Sequence, residues 1–316
     1  MAEIAFLHII QLIIDYDNPD QIKKYLDAHP KAAAEKDKDG ELPLHIAVYK
    51  NNPEVIKIIL KAYPQAASKK DKYGQFPLHL VASKSNLEVV WMILHAHPRA
   101  AFEEDDDGEL PLHNAAYMNN PEVVRMILKQ NPRAAFEKDD DGDLPLHYAV
   151  RHNKNLEVVK IILDANPGAA AEKNDDGSSP LHIAAYDYSK PKVVKMFLDA
   201  NPKAAKVKDD DGRFPLHIAA YRSNLDIVGM ILRAHPEAAA EKDNDGKSPF
   251  HSAAYNLYPE VKQLLLRENV RVIRWPLSAK IIQRAWRECR YNPEYKMCER
   301  VLEKNIEDTV MNYLPK

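Results

Sequence analysis

The chain has 316 residues, 45% of them apolar and 29% charged, with a net charge of −3 at neutral pH. It holds only 9 Gly but 22 Pro, against average shares of roughly 7% and 5%, which disfavours Gly-rich phosphate loops and excludes collagen-like or Gly/Ser-linker character. Two Cys, Cys289 and Cys298, exclude a disulfide framework and fit a reducing compartment.

In chain order, residues 1–36 predict a helix pair without a preceding turn. The start, MAEIAFLHIIQLIIDYD, has an apolar run but no basic segment before it and no small-residue cleavage site. It therefore reads as a buried helix and not as a signal peptide. An intracellular chain, cytoplasmic or nuclear, is the expectation. No stretch reaches the ~20 apolar residues that span a bilayer. Asn18, Pro19 and Asp20 open the second helix of the pair, and His29 and Pro30 close it.

From residue 37 the chain is periodic. Pro-Leu-His recurs with His at 45, 79, 113, 147, 182 and 217, and Pro-Phe-His places a seventh at 251. The spacing is 34 or 35 residues, and a Gly stands five residues before each His: Gly40, Gly74, Gly108, Gly142, Gly177, Gly212 and Gly246. An internal period this strict governs every other reading. One unit reads DKDGELPLHIAVYKNNPEVIKIILKAYPQAASKK over 37–70. Asp-x-x-Gly predicts a turn. Pro43 suits the first turn of a helix, where its missing N–H has no partner to lose. Asn52 can cap a second helix, with Pro53 in its first turn and Glu54 at its positive end. VIKIIL is too apolar for a surface helix, so both its faces should meet neighbours. Pro64 ends it.

These motifs resemble the ankyrin repeat, a β-turn followed by two antiparallel helices with the signature T-P-L-H-x-A. The resemblance spans residues 37 to about 268 and implies an all-α solenoid of helix-turn-helix units with short β-turn fingers. Seven repeats are read at 37–70, 71–104, 105–138, 139–173, 174–208, 209–242 and 243–268. Residues 1–36 are read as an N-terminal cap and 269–316 as a C-terminal helical tail or cap, because a solenoid must shield its ends. The chain departs from the signature at its Thr, which is Leu42, Phe76, Leu110, Leu144 or Phe214 in five copies, with a hydroxyl only at Ser179 and Ser248. A lost cap costs about 1 kcal/mol, and a well-buried Leu or Phe returns about 1.5–3 kcal/mol. The exchange is tolerable if that position is covered.

No enzyme constellation appears: no Walker A, GxGxxG, GxSxG or HExxH pattern. The seven His lie one per repeat and do not converge. The resemblance implies that each bridges the backbone of adjacent turns. The acidic turns fail as calcium loops, because the residue six beyond each Gly is Ile46, Leu80, Asn114, Tyr148, Ile183, Ile218 or Ser252 and never Glu. No metal or cofactor is expected.

Positions that vary among copies are free for partner choice. The residue after the Gly runs Glu41, Gln75, Glu109, Asp143, Ser178, Arg213, Lys247. The pairs before the Gly form an acidic ridge: Asp106 and Asp107, Asp140 and Asp141, Asp175 and Asp176, Asp210 and Asp211. Either these are solvated turns, since Asp favours turns, or they dock a basic partner. The end of the first helix holds Tyr49, Ser83, Tyr117, Arg151, Tyr186, Tyr221 and Tyr255, followed by Lys50, Lys84, Met118, His152, Asp187, Arg222 and Asn256. The expected partner-binding set is Glu109, Tyr117, Met118, Asp143, Arg151, His152, Tyr186, Asp187, Arg213, Tyr221, Arg222 and Lys247. The expected function is a non-enzymatic scaffold or adaptor, a monomer that binds a protein partner and not nucleic acid.

The tail is basic: residues 259–316 hold 12 Lys+Arg against 8 Asp+Glu. Pro276 opens LSAKIIQRAWRECRY, whose Ile281, Ile282, Ala285, Trp286 and Cys289 share one helical face. Ile282, Gln283, Trp286 and Arg287 lie in a run that resembles the start of an IQ motif, which implies a calmodulin-like partner in a helix-in-groove mode. Glu288 stands where that motif has Gly. The same face could instead dock on the last repeat as a cap. Two rivals to the plain scaffold therefore stay open: a calmodulin-regulated binding protein, and a substrate-recruiting subunit of an enzyme complex such as a ubiquitin ligase.

Overall fold

The structure is a computed structural model. It describes residues 8–268, apart from 17, 38, 85, 119, 153, 154, 188, 189, 223, 224, 254–258 and 266. Described residues are helical or in turns, with no strand among them. The predicted tail helix, with Ile282, Gln283, Trp286 and Arg287, lies outside the described residues, as do Tyr255 and Asn256.

The chain divides into two compact units, residues 1–184 with 199–201, and residues 185–198 with 202–316. In the first unit a π-helical turn, Leu12–Tyr16, precedes α1 (Pro19–Ala28). Helix pairs follow: α2 (Pro43–Lys50) and α3 (Pro53–Ala62), α4 (Pro77–Ala82) and α5 (Leu87–Ala96), α6 (Pro111–Met118) and α7 (Pro121–Gln130), α8 (Pro145–His152) and α9 (Leu156–Ala165). Helices α10 (Pro180–Tyr186) and α11 (Pro191–Ala200) each have residues in both units. The second unit contains α12 (Pro215–Arg222), α13 (Leu225–Ala234), α14 (Pro249–Ser252) and a helical stretch over 259–265.

Local chemistry sets each boundary. Pro is the first residue of every first helix, where it loses no hydrogen bond. Five of the second helices are capped by Asn: Asn18, Asn52, Asn120 and Asn155 accept the N–H two residues on at 2.9–3.1 Å, and Asn86 accepts that of Val89. Each second helix stops one residue before a Pro, which then starts a short 3₁₀ turn such as Pro64–Ser68 or Pro132–Phe136. Asn51 closes α2 with φ +61°, a left-handed position that Asn tolerates. The connection from α8 to α9 spans 153–155, one residue longer than that from α6 to α7.

Within the first unit, α2, α4, α6 and α8 pack side by side, and α1, α3, α5, α7 and α9 form the second row. Val55, Ile56 and Ile59 of α3 are buried because α3 lies between α1 and α5. The N-terminal segment covers the start of both rows: Ile9, Ile13, Ile22 and Leu26 are buried, and the π-helical turn packs on α2. In the second unit, α12 packs on α14 and on α13. The residues that replace the signature Thr are covered: Leu42, Leu110 and Leu144 are at most 2% exposed, and Phe76 and Phe214 are 6%.

Side chains before the terminating Pro reach back one repeat. Asn131 Nδ2 donates to Ala101 O at 2.8 Å, and Asn166 Nδ2 to Ala135 O at 3.0 Å. Asn131 is 3% exposed, so Asn131→Ala strands a buried carbonyl. The expected cost is about 1–3 kcal/mol, read as a lower denaturant midpoint with unchanged slope. A midpoint equal to that of the native chain would show the contact to be dispensable.

Candidate functional site

The candidate site is the surface made by the fingers and the ends of the first helices. Its scaffold is the Asp-x-x-Gly turn. In each finger the leading Asp, or Asn174, turns its Oδ1 onto its own loop: Asp105 accepts the N–H of Asp107 (3.1 Å) and of Glu109 (2.9 Å), and Asp139 those of Asp141 (3.0 Å) and Asp143 (2.8 Å). The Gly has φ between +71° and +77°, which L-residues rarely adopt. Consecutive fingers are tied through the backbone, with Asp106 N donating to Tyr73 O, Asp140 N to Asp107 O and Asp175 N to Asp141 O. The leading residue is thus a structural group, buried at Asp71, Asp105, Asp139, Asn174 and Asp209 and half-buried at Asp37 and Asp243, while both residues before each Gly of the acidic ridge are exposed.

The seven His are committed to the backbone. Each ring accepts, at Nδ1, the N–H of the residue three before it, at 2.9–3.2 Å in all copies from Leu42–His45 to Ser248–His251. The proton therefore sits on Nε2, which donates onward: His45 to Lys69 O, His79 to Glu109 O, His113 to Asp143 O and His147 to Ser178 O, at 3.0–3.2 Å. The ring supplies the third-residue half of a capping box, and it does so in the Ser179 and Ser248 copies as well as in the Leu and Phe copies. Burial holds His45, His79, His113 and His217 below the ordinary imidazole range, and His147 is pushed down to about 4 by burial. Among the described residues, no three His, Cys, Asp or Glu side chains are placed to hold a metal ion.

On the surface, the two columns at the first-helix ends interlock from one repeat to the next. In the first unit Lys84 Nζ lies 5.6 Å from the Tyr49 ring centre, and the rings of Tyr117 and His152 are 4.5 Å apart. In the second unit the Arg222 guanidinium lies 4.7 Å over Tyr186 and donates to its hydroxyl. A cation over an aromatic face is worth about 0.5–1 kcal/mol at an exposed site, enough to hold the side chains in register. Sequence reading lists the two columns but not their pairing, because the partners are 35 or 36 residues apart. Tyr117, Met118, Tyr186 and Tyr221 stay 40–50% exposed. Asp187 pairs with Lys190 at 3.1 Å.

The residues after the Gly behave unequally. Asp143 is 4% exposed and its carboxylate is already bound, by Arg151 Nη1 at 2.6 Å and by Asn174 Nδ2 at 2.8 Å. It reaches the surface only through Arg151, as a positioning group. Glu109 is half-buried and touches Tyr148, whose hydroxyl lies 2.7 Å from Glu109 Oε1 and 2.7 Å from Asp139 Oδ2. Asn114 Nδ2 donates to Glu109 Oε2 at 2.5 Å. Burial raises the Glu109 carboxyl above the ordinary range; a hydrogen bond donated by Tyr148 would oppose the rise, and Asp105, Asp139 and Asp107 add to it. In the second unit Arg213 folds onto Asp209 and Asp211, and Lys247 onto Asp245. Asn114 and Tyr148 were missed as partners of this site. Their signal was present: they are polar at a register position that holds Ile46, Leu80, Ile183 and Ile218 elsewhere.

Comparison with known proteins agrees with this architecture. A family model described as "Ankyrin repeats (3 copies)" matches residues 9–101, 96–176 and 181–274. No curated protein matches the chain. Among solved structures, the ankyrin repeat domain of Bcl-3, described as a unique member of the IkappaB protein family, is similar in fold, with a TM-score of 0.59 and 23% identity over 73% of this chain and 100% of that one. Ankyrin repeats are protein-interaction modules, and no described helix is long and apolar enough to cross a membrane. The chain belongs to the ankyrin-repeat family.

Proposed function

We propose that this chain is a non-enzymatic scaffold that binds a protein partner across the fingers and first-helix ends. The observation that carries the reading is the exposed, pre-ordered row in the first unit. Tyr117 packs at a tilt against the His152 ring, Arg151 is tethered to buried Asp143, and Met118 stands exposed next to Tyr117. Aromatic and Arg side chains held in place lose little entropy on binding, which is what interface anchors require. The exposed Asp106, Asp107, Asp140 and Asp141 give the fingers one sign of charge. They would steer a partner whose contacting surface is basic. In the second unit, Tyr186 and Arg222 offer a similar pair.

Affinity capture with the full chain, followed by binding measurements on the protein recovered, tests this. Combined alanine substitution of Tyr117, Met118 and His152, which leaves the Arg151–Asp143 pair intact, should weaken binding by about 2–4 kcal/mol if they are anchors, with the thermal transition kept. Unchanged affinity in that variant would refute the site. Reversing Asp106, Asp107, Asp140 and Asp141 to Lys should mainly slow association, and more so at low salt.

A further inference from the structure

The contact between Glu109, Tyr148 and Asp139 holds more acceptors than donors. Tyr148 Oη lies 2.7 Å from Glu109 Oε1 and 2.7 Å from Asp139 Oδ2, and a phenol owns one proton. That proton serves one carboxyl. The other contact would then press oxygen lone pairs together unless the second carboxyl carries a proton of its own. Asp139 Oδ1 already accepts two backbone N–H groups, which makes Asp139 the acceptor end of the chain. Glu109 Oε2 accepts from Asn114, which leaves Oε1 as the oxygen facing Tyr148. We propose that Glu109 keeps a proton after ordinary glutamates have lost theirs and donates it to Tyr148, which donates its own to Asp139, so that a proton staples the third finger to the fourth repeat.

Charged and titratable groups around Glu109 favour this order. Asp105 and Asp107 share its finger, and Asp139 faces it from the next one. From the preceding first helix, His79 donates to the Glu109 carbonyl. On its own helix, His113 meets the Tyr148 ring edge-on at 5.4 Å. From α8, Arg151 is spent on Asp143. Among the described residues named here, three carboxylates and two His whose rings burial holds towards the neutral form surround Glu109, and none of them balances its ionised form. The equivalent place one unit of two repeats earlier is instructive. Glu41 there faces Asp71, but Leu80 replaces Tyr148, and Asp71 Oδ2 is buried without a partner among the described residues. The staple therefore needs the hydroxyl as well as the proton. Since Glu109 belongs to the finger surface, the staple makes that surface sensitive to pH: closed while Glu109 holds its proton, loosened once it ionises. It does not depend on the partner reading, because it is a property of the free chain.

Carboxyl ¹³C titration of the full chain, with the Glu109 signal assigned by its loss in Glu109→Gln, is the direct test. The proton should persist at about pH 6, where an ordinary glutamate near 4.3 is almost fully ionised. Glu109 titrating together with the exposed glutamates overturns the proposal. Tyr148→Phe gives an opposite-sign control. If Tyr148 accepts the Glu109 proton, its loss lowers the Glu109 midpoint; if Tyr148 instead donates to an ionised Glu109, the midpoint rises, and that result also overturns the proposal. Should Tyr148→Phe fail to fold, Glu109→Gln still decides. Its amide replaces the proposed O–H donor, so Glu109→Gln should lack the decline in stability that the native chain shows as pH rises from the ordinary glutamate value, near 4.3, to the folded-state midpoint of Glu109. Parallel profiles for the two chains would refute the staple.

Discussion

Acidification below about pH 6.5 destabilises the folded chain steeply. The cause is the row of capping His. Each ring accepts an N–H at Nδ1, so a second proton has no place without breaking the cap. His45, His79, His113, His147 and His217 are all lowered, by burial first. A His lowered in the folded state and ordinary in the unfolded state takes up a proton on unfolding. Its stabilisation is complete above the unfolded value, near 6.5, and falls as pH drops towards the folded value. For His147, pushed down to about 4, linkage makes this worth about 3 kcal/mol. The other four act in the same direction, each beginning below the unfolded value. Denaturant midpoints measured from about pH 7.5 to 4.5 should therefore fall throughout the lower half of that range. A profile flat down to about pH 5 would show that the rings do not hold their caps in the neutral form.

Replacing a finger Gly is the second large effect, and its size should depend on which finger is changed. All seven have positive φ, so a Cβ costs about 1–2 kcal/mol anywhere in the series. At Gly246 nothing lies within 4 Å of the added atom, and at Gly40 the nearest atom is 3.5 Å away. Gly246→Ala and Gly40→Ala should therefore show the backbone cost alone. At Gly74 the added Cβ would sit 2.6 Å from the backbone N of Asp106, which itself donates to Tyr73 O. Backbone cannot step aside as a side chain can. Gly74→Ala should cost a further 1–3 kcal/mol or so, with Gly142→Ala, 2.9 Å from Asp175 N, close behind. Equal losses at Gly74 and Gly246 would mean that the fingers are not tied together through the backbone.

Both effects rest on features that the sequence displayed but did not explain. The strict recurrence of Pro-Leu-His and of the Gly marked where turns and helices lie, since Pro and Gly act on their own φ. What the His does was implied only by family resemblance. That its ring accepts the N–H of the residue three before it, in Leu, Phe and Ser copies alike, needed the geometry. The candidate surface was legible in part. Tyr117, Met118, Tyr186, Tyr221 and Arg222 stand exposed, at positions chosen because they vary among copies. Asp143 looked equivalent to Glu109 in register, yet it is buried under Arg151. The difference arises eight residues away, where the fourth repeat has Arg and the third has Tyr117.

The sequence by itself determined the repeat, its seven registers, the Pro and Asn that begin and end its helices, and the family to which the chain belongs. These follow from short-range rules in which a residue constrains its own backbone or the next turn. Only the tertiary structure decided which side chains meet: Tyr117 with His152, Glu109 with Tyr148, Asn131 with the carbonyl of Ala101. Those partners lie 30 or more residues apart in the chain, and become neighbours only because, within the first unit, each repeat buries its apolar helices against the next.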